Sequence, residues 1–548
     1  MQTLRRIVAV LIFPAIAYLG AACERMDTPT APKAVPPISA ATYAPPNHWV
    51  NDDDPTPLNG YAPPGTSCAD PGYATIKAAL AAAASGQVIQ VCVGMYTEND
   101  TLNKRLTLLG AQVGEDARGR ADSESVVIPF FPATPTLDLQ AGPLGSSARG
   151  SIIDGFTFLG GAFPGGGGHS GAIESTSGSI DSLQILNNRI RGFTAGSGVF
   201  LNNNGINITV NQNEIDGTLK VGGGGLFHLD SDNFDGFWFT DNNVVNGMAG
   251  TGFFVDGNRN VDKSTPGARA PLFSGNLIDR NGTGVNLGSR AWGDGPITGN
   301  TFSNNAFDGL QAGPKSTRIS QNIFDNNGRN GLALTAFSLL PSTDPTRGAQ
   351  GDTVTQNCFI GNGFPMGGAG ISFSPTQFPG TISSNVVHQN NIFGNFIGAR
   401  YLRAGSDTET IHAEFNWWGS STGPTHPSNL GGTGDPVVDN GPLLPGGIDF
   451  DPWLTSAAGG TSCAPPAAPP GKVTGGGQVP VDMMGGKGSF GFNAKSDGGL
   501  GSGHLNYLNH ATGAHIDCTV DAVTMLTDTT AEFSGTCTSN AAANAMDF

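Results

Sequence analysis

Two short loops of the sequence concentrate oxygen-bearing side chains that could hold a divalent cation. The first reads DSDNFDG over residues 230–236, and the second reads DGNRNVD over residues 256–262. The candidate ligands are Asp230, Asp232, Asp235, Asp256, Asn258 and Asp262. Calcium binds six to eight oxygens supplied by flexible turns, so this spacing predicts Ca²⁺ as a cofactor. The alternative is that Asp and Asn are simply favoured in loops.

Charged residues in and near these loops suggest two kinds of sugar chemistry. We single out Asp230, Asp256, Arg290 and Lys315 as candidate catalytic residues. In a lyase, calcium would neutralise a uronate carboxylate while Arg290 or Lys315 removed the neighbouring proton. In a hydrolase, Asp230 and Asp256 would flank a glycosidic bond, about 5 to 9 Å apart. Ordinary surface charge explains the same residues, so the sequence leaves open whether the protein is an enzyme.

These loops need a scaffold, and the first mark of a repeating one is an Asn between two apolar stretches. The repeated asparagines are Asn188, Asn213, Asn243, Asn276, Asn300, Asn322, Asn357, Asn385 and Asn416. They recur about every 22 to 35 residues, and the flanking apolar residues alternate as in strands. We therefore predict a β-helix in which each coil pairs with its neighbours. Each repeated Asn is expected at a corner, in the left-handed backbone region, with its amide bonded to the next.

The second mark is a Gly that opens an alternating apolar strand, as in GVFL at Gly198 and GFFV at Gly252. Because side chains of a strand alternate between its two faces, the register predicts which residues face outward. The predicted outward column is Phe200, Phe227 or His228, Phe254, Asn286, Gln311, Ala333, Ser372 and Arg400. Its predicted substrate-binding members are Phe200, His228, Phe254, Asn286, Gln311 and Arg400. The alternative is that a long loop covers Phe200 and Phe254.

The repeat region resembles the right-handed parallel β-helix superfamily, known as the pectin-lyase-like fold. The segment DPGYATIKAALAAAASGQVIQVCVGMYTEN resembles the family's N-terminal cap, with a helix over Ile76–Ala83. The segment NWWGSSTGPTHP resembles a closing segment of bacterial β-helix proteins. The resemblance covers residues 61–456 and implies about eleven coils, with the Gly strands flooring a cleft. Because the superfamily includes lyases, hydrolases, epimerases and adhesins, it implies no single activity.

The two ends of the chain carry further segments. Residues 1–22, a positive start followed by an apolar run, are predicted to be a signal peptide. The ending LGAAC resembles a bacterial lipoprotein signal, which would make Cys23 the lipidated residue; an ordinary cleaved signal is the alternative. Residues 23–60 are predicted to be a disordered tether, and residues 457–471 a Pro- and Ala-rich linker. Residues 472–548 are predicted to form a small antiparallel β domain, which resembles the post-COAP domain of exported bacterial proteins.

Export would allow the cysteines to form disulfides. The predicted bridges, each closing a short segment, are Cys68–Cys92 and Cys518–Cys537. Cys358 lies inside a repeat and is predicted to be a buried thiol, whereas Cys463 receives no assignment.

Together these features predict an all-β, exported protein, either a surface or outer-membrane lipoprotein or a secreted one. The leading hypothesis is that it binds an extracellular or cell-surface polysaccharide through the face of the Gly strands. A polysaccharide lyase or glycoside hydrolase acting on that face is the second hypothesis, and a structural or adhesive surface rod is the third. We expect a monomer that contacts membrane only through the lipid anchor. The net charge of −17 argues against nucleic acid as a partner.

Overall fold

The computed structural model describes the chain from residue 43 onward, with gaps. The described residues are 43–52, 61–120, 123–142, 145–161, 171–230, 233–255, 261–288, 292–335, 348–374, 382–401, 409–439, 447–459, 463, 471–480, 487–496, 501–525, 531–539 and 546–547. The predicted signal peptide, Cys23 and most of the predicted tether lie outside these ranges. Within them, no helix is long and apolar enough to cross a membrane. The chain forms two compact units, one spanning Ala34–Pro465 and another that includes Pro466–Phe548.

The first unit is a parallel β-helix, as predicted, and its coils stack into three long sheets. The 14-stranded sheet contains His48–Val50, Val88–Val91, Thr107–Leu109, Ile152–Asp154, Gln184–Leu186, Thr209–Asn211, Trp238–Thr240, Leu272–Ser274, Ile297–Thr298, Arg318–Ser320, Thr353–Thr355, Val386–His388, Thr410–His412 and Gly447–Asp449. The 11-stranded sheet contains Gly94–Thr97, Ser125–Ile128, Phe156–Leu159, Arg189–Arg191, Glu214–Asp216, Asn243–Val245, Leu277–Asp279, Thr301–Ser303, Ile323–Asp325, Cys358–Ile360 and Asn391–Phe393. The 13-stranded sheet contains Asp100–Leu102, Leu137–Leu139, Ile173–Ser175, Val199–Leu201, Gly225–Leu229, Thr251–Val255, Thr283–Asn286, Leu310–Ala312, Leu332–Thr335, Ile371–Ser374, Ala399–Tyr401, Pro424–Thr425 and Gly434–Asp439. All the strands marked by Gly lie in this last sheet, whose outer surface we call the Gly-strand face.

The N-terminal end of the solenoid differs from the prediction in its boundary. The strand His48–Val50 pairs in parallel with Val88–Val91, so the solenoid begins inside the segment predicted to be a tether. The predicted capping helix is present as Ile76–Ala82 and buries its apolar side in the core. The Thr75 hydroxyl and the Glu98 carboxylate accept hydrogen bonds from its first N–H groups. A small antiparallel pair, formed by strands Gly65–Ser67 and Asp70–Pro71, precedes this helix.

A ladder of buried asparagines runs along the corner between the 14-stranded and 11-stranded sheets. Its members are Asn188, Asn213, Asn242, Asn276, Asn300, Asn322, Asn357, Asn390 and Asn416. The Nδ2 of Asn322 donates to Oδ1 of Asn357 at 3.0 Å and to the carbonyl of Ile297 at 2.9 Å. Its Oδ1 accepts from the backbone N and the Nδ2 of Asn300. The predicted amide ladder is therefore confirmed, and it satisfies each buried amide.

Three details of the predicted corner are wrong. Asn243 and Asn385 are not in this ladder; their places are taken by Asn242 and Asn390. The left-handed backbone belongs to the residue before each ladder Asn, as at Gln321, where φ is 57°. The turn is made there because the ladder residue itself must keep its N–H aligned with the next coil.

A second ladder lies at the corner between the 11-stranded and 13-stranded sheets. Its members are Asn281, Asn305, Asn327, Asn362 and Asn395, and it ends on the carboxylate of Asp435. Between the two ladders, phenylalanines from successive coils stack in the core. The rings of Phe302, Phe324 and Phe359 follow one another with centroids 4.9 and 4.7 Å apart. Amide bonds at the corners and stacked rings inside thus repeat with the same period.

Cys358, predicted to be a buried thiol, instead forms a disulfide with Cys463 across 105 residues. The chain reaches this point by running back along the 11-stranded sheet after it leaves the last coil. On the way, the Ala458 N–H donates to Oδ1 of Asn391 at 2.8 Å, and Nδ2 of Asn391 donates to the Ala458 carbonyl at 3.2 Å. Part of the predicted linker 457–471 is therefore attached to the solenoid.

The C-terminal unit is an antiparallel sheet, as predicted. Its strands are Gly471–Pro480, Lys487–Ser496, Gly501–Asn509, His515–Met525, Ala531–Ser539 and Met546–Asp547, each paired with the next. The Cys518–Cys537 bridge joins two neighbouring strands of this sheet, and the predicted Cys68–Cys92 bridge is also present. Three disulfides in one chain indicate a location outside the reducing cytoplasm.

Replacing Asn322 by Leu should destabilise the solenoid. Leu leaves the backbone N–H and the Nδ2 of Asn300 without their acceptor, and a buried polar group without a partner costs about 1 to 3 kcal/mol. We expect the apparent free energy of unfolding to fall by about 3 kcal/mol. Urea unfolding followed by circular dichroism measures this loss. The matched change Asn326→Gly, at an exposed left-handed residue, should leave the midpoint nearly unchanged; equal midpoints for both variants would contradict the role of the ladder.

A buried carboxyl at the remaining corner gives a pH-dependent prediction. Asp352 is fully buried, its Oδ2 has no hydrogen-bond partner among the described residues, and burial raises its pKa to about 8. A folded-state pKa above the unfolded one contributes stability at low pH that is lost as pH rises toward 8. The Asp352→Asn variant does not titrate, so we expect its melting temperature to exceed that of the native protein more at pH 9 than at pH 5. Asp294→Asn, at an exposed position, should show no such difference, and a gain for Asp352→Asn that is independent of pH would contradict the assignment.

Candidate functional site

The 13-stranded sheet aligns the predicted outward residues in one column. Strand pairing places Phe200, His228, Phe254, Asn286, Gln311, Ala333, Ser372 and Arg400 side by side on successive coils. His228, not Phe227, is the outward residue of its strand, because Phe227 is fully buried in the core. Neighbouring members are about 4.8 Å apart along the axis. The predicted alignment is therefore confirmed.

Exposure divides this column into parts. Phe200 faces outward but is only 2% exposed, so its ring is not accessible to a ligand in this conformation. Ala333 and Ser372 are also covered, at 4% and 2% exposure. The four members between them, His228, Phe254, Asn286 and Gln311, are half-buried, and we call them the central strip. The alternative that chain covers the aromatic end of the column thus holds for Phe200 but only partly for Phe254.

The three rings at the aromatic end of the column pack against one another in tilted pairs. The His228 ring lies 4.8 Å from Phe200 on one side and 4.8 Å from Phe254 on the other, measured between centroids. Phe200, at the covered end of the column, therefore packs against one side of His228. Phe254 packs against the other side and is the last aromatic residue of the central strip. Rings held in this way lose little conformational freedom when a ligand packs on them.

Arg400, at the far end of the column, is held by the chain. Its Nη1 donates to the Gly367 carbonyl at 3.1 Å, and its Nη2 donates to Oδ1 of Asn330 at 3.2 Å. Burial lowers the pKa of Arg400, and the nearby charge of Asp308 opposes that shift. Because two buried residues of the column separate Arg400 from the central strip, it does not adjoin the strip.

Asp235 and Asp262, two of the three described carboxylates of the predicted calcium site, contact each other. Asp235 Oδ2 accepts from the Thr265 N–H at 2.7 Å and from the Ser264 hydroxyl at 3.1 Å, while its Oδ1 accepts from the Asp262 N–H at 3.2 Å. Burial and a hydrogen bond to Asp235 raise the pKa of Asp262. Burial alone would raise the pKa of Asp235, but its hydrogen bonds outweigh burial and lower it. This carboxyl–carboxylate pair suits bracing the loop better than binding calcium.

Of the remaining predicted catalytic and metal-binding residues, the structure describes only Asp230 and Lys315. Asp232, Asp256, Asn258 and Arg290 lie outside the described residues. Asp230 follows the strand Gly225–Leu229, whereas Lys315 follows Leu310–Ala312, three strands further along the sheet. The two are thus separated by about 14 Å along the axis, too far for both to act on one sugar bond. Asp256, the predicted partner of Asp230 in a hydrolase, lies outside the described residues, so that pair stays a prediction.

Two carboxylates at the N-terminal end of the column were not predicted. Asp138 pairs with Glu174, and Glu174 pairs with Phe200. Glu174 is 1% exposed, and Oδ1 of Asp138 accepts from the Thr176 hydroxyl at 2.7 Å. The GVFL pattern could not have found Glu174, because in GAIE it would turn Ile173 outward, whereas Ile173 pairs with the buried Val199 and Glu174 with Phe200. The burial of Glu174 fits a structural role.

A second group of possible metal ligands was also not predicted. Ligand atoms of His412, Glu414 and Asp449 lie within 4.8 Å of one another at the C-terminal end of the 14-stranded sheet. His412 and Asp449 are paired across adjacent strands, and Nδ1 of His412 lies 3.2 Å from Oε1 of Glu414. An imidazole with two carboxylates suits a transition metal better than calcium. Only the fold brings Asp449 to His412, so no local pattern could indicate this group.

Comparison with known proteins agrees with this architecture. Residues 224–416 match the family model described as "Right handed beta helix region". The chain carries a right-handed β-helix. No curated protein matches it in sequence.

Solved structures with a similar fold have diverse roles. The Dettilon tailspike protein gp208 is 13% identical, with 84% of this chain and 76% of that one covered and a TM-score of 0.35. The pectate lyase Pel9A is 14% identical, with 64% and 80% covered and a TM-score of 0.33. PfbA, a surface adhesin of Streptococcus pneumoniae, is 13% identical, with 62% and 81% covered and a TM-score of 0.26. Such low values provide no basis for assigning an activity to this chain.

Substitution of Asp235 tests whether its carboxylate braces the loop or binds a metal ion. Asp235→Ala removes three hydrogen bonds from the loop that carries Lys263, so trypsin should cleave after Lys263 about tenfold faster. We expect the same acceleration in calcium and in chelator, measured by mass spectrometry over time. Asp262→Asn should stay close to the native rate, since its amide can still donate to Asp235. An effect of Asp235→Ala that requires calcium would contradict the brace and support a metal site.

Proposed function

We propose that the protein binds an extracellular polysaccharide along the central strip of the Gly-strand face. The observation that carries the proposal is the alignment of His228, Phe254, Asn286 and Gln311, one per coil and all half-exposed. The strip is about 14 Å long, which is roughly the length of three sugar residues. A polymer lying along the solenoid axis would meet one side chain per coil.

The chemistry of the strip suits a carbohydrate. The Phe254 ring offers an apolar surface to the C–H face of a sugar, and it is supported by the tilted His228 ring that packs against it. The carboxamides of Asn286 and Gln311 each carry donors and an acceptor, as needed for pairs of sugar hydroxyls. No charged residue lies within the strip, so this contact alone does not require an acidic polymer.

The location of the protein supports an extracellular ligand. Three disulfides indicate an oxidising compartment. Anchoring through Cys23 would hold the solenoid at the cell surface, with the binding face turned to the surroundings. The C-terminal unit, which resembles a post-COAP domain, would then be an accessory module of the exported protein.

Binding without turnover is favoured over the two alternatives. Among the described residues, Asp230 and Lys315 are too far apart to act on one bond, and Asp235 and Asp262 bond to each other. A purely structural rod would have no need of an aligned, half-exposed strip between two covered ends. The experiment below also detects hydrolase or lyase activity.

Affinity electrophoresis against a panel of neutral and acidic polysaccharides tests this function. We expect retention on at least one polymer, weakened about tenfold by Phe254→Ala and by Gln311→Ala, which is about 1.4 kcal/mol each. Phe130→Ala is the matched control, because Phe130 is 61% exposed but lies off the strip. Retention that is equal in Phe254→Ala and the native protein would contradict the proposal. Release of reducing ends or of unsaturated uronates would instead establish an enzyme.

A further inference from the structure

A polar depression lies on the outer face of the 14-stranded sheet, a different surface from the one that carries the central strip. Its volume is about 380 Å³, and it is lined by Ser182, Gln184, Asn207, Thr209, Trp238 and Arg269. Strand pairing places Gln184, Thr209 and Trp238 side by side on three successive coils. The depression therefore has a floor built on the rigid sheet rather than on loops alone.

The cation of this depression is fixed by hydrogen bonds. Arg269 Nε donates to the Gly236 carbonyl at 2.8 Å. Its Nη2 donates to the Ile208 carbonyl at 2.7 Å and to the Thr209 hydroxyl at 2.6 Å. The backbone N–H of Arg269 donates to Oδ1 of Asn207 at 2.9 Å. These bonds pin the end of a long loop to the sheet and hold the guanidinium in one orientation.

An aromatic wall completes this arrangement. The Arg269 guanidinium lies 3.8 Å from the centroid of the Trp238 ring, in a cation–π contact. The indole Nε1 of Trp238 donates to the Ala270 carbonyl at 3.0 Å, which fixes the ring from the same loop. The Trp238 ring remains half-buried, so its accessible part provides apolar surface beside the cation.

Three polar groups around the depression have no hydrogen-bond partner among the described residues. They are Nη1 of Arg269, the carboxamide of Gln184 and the hydroxyl of Ser182. Burial lowers the pKa of Arg269 to about 10, which leaves it charged at neutral pH. Asp181, the acidic residue next to Ser182, has its negative charge balanced by Arg149, whose Nε lies 3.5 Å from Oδ2 of Asp181. The depression thus offers a fixed positive charge with a free N–H edge next to two neutral donors.

We propose that this depression binds a carboxylate-bearing sugar residue, such as a uronate, of an acidic polysaccharide. The carboxylate accepts from Nη1 of Arg269, a charge-assisted bond that is stronger than a neutral one. The sugar hydroxyls bond to Gln184 and Ser182, and the ring packs against the edge of Trp238. Because the donors are already held in place, little ordering is needed on binding.

This inference rests on the proposed function and narrows the ligand to acidic glycans. The acidic group would be recognised on a second face, that of the 14-stranded sheet. The central strip carries no charge and would contact the neutral part of a polymer. Arg269 would distinguish a uronate from its neutral counterpart, because only the uronate satisfies the free N–H edge.

Calorimetric titration of the full chain with a uronate trisaccharide and with its neutral counterpart tests this site. We expect the native protein to bind the uronate, more weakly as salt is raised, and Arg269→Lys to lower that affinity about tenfold. Gln184→Ala should lower it about fivefold without touching any bond that anchors the loop, which keeps the test valid if Arg269→Lys disturbs folding. Thr353→Ala, on the same sheet several coils away, is the matched control and should not change it.

The outcomes separate this inference from the proposed function. Uronate binding that is weakened in Gln184→Ala and Arg269→Lys but not in Phe254→Ala supports the depression, whatever the fate of the strip. Uronate binding that is weakened only in Phe254→Ala overturns the depression and leaves the proposed function standing. Failure of the native protein to bind the uronate trisaccharide also overturns the depression, even if a neutral polysaccharide is retained.

Discussion

The hydrogen bond between side-chain amides of neighbouring coils is the constraint on which the rest of the solenoid depends. Each ladder amide is buried and must donate twice and accept, and only an identical amide one coil away provides that geometry in register. The first ladder fixes one corner from Asn188 to Asn416, and the second fixes another corner from Asn281 to Asp435. With those corners fixed, the strands between them cannot slip, because a shift by one residue would turn core side chains outward. The alignment on the Gly-strand face follows from this constraint.

The three sheets of the solenoid differ in how much of their outer face is covered by other segments of the same chain. Near the N-terminus, Arg120 from a long connection donates to the Asn187 carbonyl, and Arg189 of the 11-stranded sheet pairs with Glu124 of the same connection. Near the C-terminus, the returning chain is bonded to Asn391 and disulfide-linked to Cys358 on that sheet. The 11-stranded sheet therefore serves internal packing at both ends. The other two sheets carry the half-exposed polar and aromatic side chains that suit ligands.

The sequence predicted the architecture because the repeated features are local, and it failed where contacts are distant. A buried Asn before a strand is visible in ISQNIF, but DNN contains two adjacent candidates, and Asn385 in ISSNVV matches the same pattern shortly before Asn390. The pattern therefore could not single out Asn242 and Asn390. The outward register followed from alternation alone. The covering of Phe200 and the disulfide of Cys358 depend on segments far along the chain, and no periodicity reports them. The bonds from loop N–H groups to Asp235 depend on the folded loop, so composition could not show them.

The third corner, between the 13-stranded and 14-stranded sheets, lies between the central strip and the depression. Chain length there is not fixed by a repeated amide, so insertions can grow without disturbing the sheets. One such insertion begins after the strand that carries Phe254 and ends at Arg269, which is bonded to the 14-stranded sheet. A single loop thus borders the central strip at one end and supplies the cation of the depression at the other. The strip and the depression therefore flank the same corner, and the length of this one insertion affects both of them.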